Sequence, residues 1–123
     1  MGKIITRDHT KQAYRLAKDV HEEKLKLKTA KDKLEDAGMG RGSAGDYIVA
    51  FRRMMEGRRY TRTINEYSTR YYLKKIHTDF DKRVLIRALS SVERHVEYYE
   101  KLENGNLPSI RTIHREFSKK YIS

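Results

Sequence analysis

The chain has 123 residues, 37% hydrophobic and 37% charged, a length and balance that predict one small domain over residues 1–123 with one core under a highly charged surface. With no cysteine, it has no disulfide, thiolate nucleophile, cysteine zinc site or iron–sulfur cluster. Lys+Arg number 28 against 17 Asp+Glu, a formal net charge of +11, so its field attracts polyanions: nucleic acid first, then anionic lipid or an acidic protein.

One proline, Pro108, interrupts a chain whose apolar residues recur at helical spacing, which predicts an all-α protein, a compact bundle of five or six helices. Thr6 or Asp8 starts a first helix that buries Ala13, Leu16, Ala17 and Val20 and runs to about Lys24. The residues before it lack the apolar core of a signal peptide, and Gly2 with Thr6 has only a superficial myristoylation pattern without a second anchor. No apolar run approaches the roughly 20 residues of a membrane span. A cytoplasmic protein with no membrane partner is expected.

Thr29 offers a cap for a short second helix carrying Ala30 and Leu34, and Gly38 ends it. Glycines 38, 40 and 42 then turn the chain sharply, and Ser43 is positioned to cap a third helix with Tyr47, Ile48, Phe51 and Met54 or Met55 inward and Gly57 at its end. Thr63 and Glu66 form a capping-box pattern for a fourth helix from about Ile64 to His77, with Ile64, Tyr67, Tyr71, Leu73 and Ile76 on its apolar face. Asp79-Phe80-Asp81 supplies a break and the next cap. The fifth helix repeats Leu85, Leu89, Val92, Val96 and Tyr99, with Val84, Ala88 and Leu102 alongside. Asn104-Gly105-Asn106 stops it, and Pro108 opens a last helix with Ile110, Ile113, Phe117 and Tyr121 inward.

Catalytic patterns are missing. The histidines at 9, 21, 77, 95 and 114 never pair at the three- or four-residue spacing that puts two metal ligands on one helix face, and they read as solvated or capping residues. Asp79 and Asp81 read as caps, and the glutamates at 93, 97, 100 and 103 as a solvated face offset by Arg94 and Lys101. Gly38 to Gly42 follows a helix instead of a strand and lacks a Gly-Lys-Ser/Thr ending, so the nucleotide-loop reading fails. No enzyme activity, metal or cofactor is expected.

Arginine carries the positive signal. Residues 38–62 hold Arg41, Arg52, Arg53, Arg58, Arg59 and Arg62, with no lysine and only Asp46 and Glu56 as acids. Guanidinium forks bind phosphate bidentately and match the O6 and N7 edge of guanine. Arg41 and the helix end at Ser43 are expected to anchor phosphate, Arg52 and Arg53 to meet the groove or backbone, and Arg58, Arg59 and Arg62 to extend the strip. Tyrosine is abundant, nine residues. Burial is the main expectation for the tyrosines, with base stacking the lesser reading for Tyr60 and Tyr72.

The helix, glycine turn and helix of residues 29–56 look like a helix-turn-helix variant with a longer turn. The run Gly-Met-Gly-Arg-Gly-Ser-Ala-Gly-Asp-Tyr-Ile, together with Met-Met-Glu-Gly-Arg-Arg-Tyr-Thr-Arg-Thr-Ile-Asn and Tyr-Tyr-Leu-Lys-Lys-Ile-His-Thr-Asp-Phe, resembles the helical region that precedes the nuclease module in some HNH-type restriction endonucleases. The resemblance covers about residues 10–121 without the histidine–asparagine–histidine core, and it implies DNA binding without cleavage in a restriction-modification setting. The expected partner is nucleic acid, DNA before RNA and double-stranded DNA first. The alternative is a protein–protein module or a small phage or defence-system regulator, with an acidic partner or a homodimer.

Overall fold

The computed structural model describes residues 4–103 and 105–122. Gly2 and Asn104, which carry the myristoylation pattern and part of the stop signal, lie outside them. The described residues form six α-helices and no strand: α1 (Arg7–His21), α2 (Leu27–Asp36), α3 (Arg41–Glu56), α4 (Glu66–Asp79), α5 (Lys82–Lys101) and α6 (Pro108–Tyr121). The expected all-α class holds. Among the described residues no helix is long and apolar enough to cross a membrane. The chain divides into two compact units, Met1–Arg52 and Arg53–Ser123.

In the first unit α1 opens on Thr6, whose hydroxyl accepts the His9 N–H at 3.1 Å while His9 Nδ1 accepts the Thr6 N–H at 3.1 Å. This is a capping box with histidine in the place usually held by Glu or Gln. A ring nitrogen that accepts a backbone N–H is unprotonated, so Nε2 carries the proton and donates it to the Ala37 carbonyl at 2.9 Å. One imidazole thus ties the start of α1 to the end of α2. The two helices pack together, burying Ala13, Leu16, Ala17, Ala30 and Leu34, and Tyr14 meets Phe51 edge to face at 5.3 Å.

In the first unit two helix starts and one helix end differ from the expected ones. α2 begins at Leu27 with Lys26 before it and no side-chain cap, so Thr29 lies inside the helix. α3 begins at Arg41, its first bond running from the Ala44 N–H to the Gly40 carbonyl at 2.9 Å; Ser43 is a first-turn residue and caps nothing. A Cβ at Gly40 or Gly42 would meet nothing within 4 Å, so the first turn is open, and N–H groups of an open first turn are ones that solvent can satisfy in place of a capping hydroxyl. α1 also stops at His21, short of Lys24, because Glu23 takes a left-handed conformation at φ 62°.

The second unit is built on α4, α5 and α6, each packed against the other two. Its core holds Ile64, Tyr72, Leu73, Ile76, Leu85, Ala88, Leu89, Val92, Val96, Ile110, Ile113 and Phe117. α4 starts at Glu66 with Asn65 as the cap, accepting the Ser68 N–H at 2.8 Å, so the Thr63–Glu66 capping box does not form. Asp81 caps α5 by accepting the Val84 N–H at 3.1 Å; that bond, ahead of the nearby Arg83 guanidinium, holds its carboxyl below the usual range. Pro108 sits in the first turn of α6 as expected. Leu102, placed on the core stripe by its spacing, is instead half exposed as the residue that ends α5, and Tyr99 is only partly buried.

Candidate nucleic-acid interface

The second unit assembles a basic cleft from the end of α3, the turn after it and α5. α3 ends on Gly57 at φ 69°, with the Gly57 N–H bonded to the Met54 carbonyl and the Arg58 N–H to the Arg53 carbonyl at 2.9 Å. These are the paired bonds of a left-handed helix stop. A Cβ on Gly57 would lie 3.4 Å from Arg87 Cβ and Cγ, so glycine is favoured both by the backbone and by the close approach of α5.

From that stop the chain runs across α5 and is held there by three side chains spaced four residues apart. Arg87 Nε donates to the Met55 carbonyl at 2.9 Å, Ser91 Oγ to the Arg58 carbonyl at 2.5 Å, and His95 Nδ1 to the Tyr60 carbonyl at 2.7 Å. Four-residue spacing puts all three on one face of the helix. His95 is fully buried, its ring lies nearly parallel to Tyr60 at 4.3 Å, and its Nε2 is 2.8 Å from Thr63 Oγ. With Nδ1 donating, Nε2 accepts from the Thr63 hydroxyl, which explains where that hydroxyl goes instead of capping α4. Burial lowers the His95 pKa, the bond to the Tyr60 carbonyl opposing it in part.

The segment so pinned places Arg58 and Arg59 beside α5. With Arg53, Arg94, Tyr98 and Lys101 they line a cleft of about 580 Å³ that also includes Gly57 and one acid, Glu97. Arg53 reaches Glu56 at 3.2 Å, and Arg94 Nε donates to Ser90 Oγ at 3.3 Å. Arg58, Arg59 and Lys101 make no ion pair among the described residues. The Arg59 guanidinium carbon lies 4.3 Å from the centroid of the Tyr98 ring. Five cations facing one carboxylate form a strongly positive recess, and positive clefts with protein walls concentrate anions.

Of the residues expected from the sequence, Arg53, Arg58 and Arg59 come together in this cleft. Arg62 is exposed and lies outside its lining. Arg41, Ser43 and Arg52 belong to the first unit. There Arg52 is exposed, Ser43 is partly buried, and Arg41 is engaged by Asp32 at 3.0 Å and by Glu35. The Arg41 bond, followed by Lys28, keeps the Asp32 carboxyl below its usual range. Tyr60 does not stack on bases: its ring is 2% exposed, packed on His95, and burial drives its hydroxyl pKa upward. Tyr72 is likewise wholly buried. The residues that the local arginine run did not reveal are Arg94, Tyr98 and Lys101, which share a stripe of α5 at four- and three-residue steps.

Among the described residues no group of three or more His, Asp or Glu side chains is arranged to hold a metal ion. No family model, curated protein or solved structure matches this chain.

Proposed function

We propose that this protein binds nucleic acid, with duplex DNA the first ligand to test, through the cleft of Arg53, Arg58, Arg59, Arg94 and Lys101. The observation that carries this reading is the imbalance inside the cleft: five cations line it against Glu97, and four of the five, all but Arg53, have no carboxylate partner among the described residues. Phosphates supply the missing counter-charge, and guanidinium forks bind them with two parallel bonds each. The likeness to the region preceding HNH nuclease modules favours the same ligand and a recognition role without cleavage.

Fluorescence anisotropy with random duplex DNA, single-stranded DNA and RNA over a salt series tests the proposal. For duplex DNA, neutralising about four or five phosphates gives a log–log slope near −4. Arg58→Ala with Arg94→Ala is expected to lower affinity about tenfold or more and to flatten the slope by about two. Absence of binding to all three at low salt would assign the cleft to an acidic protein partner instead.

A further inference from the structure

Tyr98 is a cleft residue that phosphate binding does not require. It stands partly buried on α5 with the Arg59 guanidinium over its ring, while Arg58, Arg94 and Lys101 already supply charge around it. The aromatic face attracts the cation and restricts its motion. The backbone at Arg59 is also fixed from both sides, since the carbonyls of Arg58 and Tyr60 are bonded to Ser91 and His95. The exposed guanidinium is therefore a planar, weakly hydrated group in a defined place, which is what the face of a nucleobase stacks on.

In a duplex both faces of a base are covered by its neighbours, so only an unpaired or terminal nucleotide has a face to offer. Size points the same way. A recess of about 580 Å³ is on the scale of a small-ligand site and takes one or two nucleotides, whereas a paired helix meets it only with its backbone. We propose that the cleft captures an unpaired nucleotide, with its base on the Arg59–Tyr98 pair and its flanking phosphates on Arg58, Arg94 and Lys101. This rests on the nucleic-acid reading above and narrows it to strand ends, overhangs and single-stranded stretches.

The test compares a short blunt duplex with the same duplex carrying a few unpaired nucleotides, one of them the fluorescent base 2-aminopurine. The wild-type chain is expected to bind the overhang about tenfold more tightly than the blunt end and to quench the probe as it stacks. Tyr98→Leu and Arg59→Lys should each abolish the preference for the overhang and the quenching, so that the two probes bind alike, and Tyr98→Leu should leave blunt binding within about twofold of the wild type. Arg59→Lys keeps the charge, so a purely electrostatic cleft would bind both probes as before. It alters an exposed side chain and carries the test alone if circular dichroism shows that Tyr98→Leu does not fold. Equal wild-type affinity for the two probes without quenching overturns the proposal and leaves nucleic-acid binding standing; failure to bind either probe at low salt removes both.

Discussion

His95 joins the core of the second unit to its candidate interface. Its Nδ1–H holds the Tyr60 carbonyl, its Nε2 accepts from Thr63, and its ring is sandwiched against Tyr60 with Tyr99 nearby at 6.3 Å. Because burial disfavours the imidazolium, the folded chain takes up this proton less readily than the unfolded chain, whose histidine titrates near 6.5. The sign follows: stability from this group is complete above 6.5 and is lost as the pH falls through 6.5 toward the depressed folded value. Thermal unfolding should therefore move to lower temperature between neutral pH and about pH 5. His95→Gln can keep both hydrogen bonds without the titrating proton, so its melting temperature should depend less steeply on pH over that window. An identical pH profile in the variant would mean that the loss originates elsewhere. His9 has a different role: its ring caps α1 and reaches Ala37, and a Cβ on Gly38, which sits at φ 108°, would come within 3.3 Å of its Nε2.

Helix ends are the elements that place the side chains of both units. α1, α2 and α3 each stop on a left-handed residue with paired backbone bonds, yet that residue is Gly38 in α2, Gly57 in α3 and Glu23 in α1. A side chain in this conformation costs about 1–2 kcal/mol that glycine avoids. Glu23→Gly should therefore raise stability by about 0.5–1 kcal/mol, part of the gain being offset by the greater freedom of glycine in the unfolded chain. Gly57→Ala should lower it by about 1–2 kcal/mol, and both are read from the midpoint of urea unfolding at constant slope. These ends also show what was legible in the sequence. Gly38, Gly57, Asp81 and Pro108 were readable because backbone conformation and local capping act within a few residues. Thr63 departs from its local pattern because its hydroxyl is taken by His95, 32 residues away, and a tertiary partner of that kind leaves no local trace. The cleft divides in the same way. Arg53, Arg58 and Arg59 stand together in the chain, whereas Arg94, Tyr98 and Lys101 join them only because Arg87, Ser91 and His95 fasten the turn after α3 to α5.

At the scale of the whole molecule, a net charge of +11 predicts attraction to any polyanion, so binding alone does not distinguish a built site from a diffuse field. Much of the charge is already locally balanced: Arg41 faces two carboxylates, Arg70 reaches Glu116 at 2.7 Å, and both Glu100 oxygens receive hydrogen bonds from Arg111. Exposed pairs of this kind add little to stability, but they lower the charge available to a ligand at those places. The cleft of the second unit is where cations accumulate without that compensation. A charge-matched comparison separates the two sources. Lys11→Gln with Lys82→Gln removes two exposed cations outside the cleft, the same formal charge as Arg58→Ala with Arg94→Ala. If binding follows the overall field, the two double variants should lose equal affinity at every salt concentration. Localised binding predicts that the lysine pair stays within about threefold of wild type and keeps its salt slope, while the arginine pair loses about tenfold or more and about two units of slope. Anisotropy titrations of all three chains on one duplex at low and moderate salt measure the difference, and equal losses in the two variants would return the binding to the net charge.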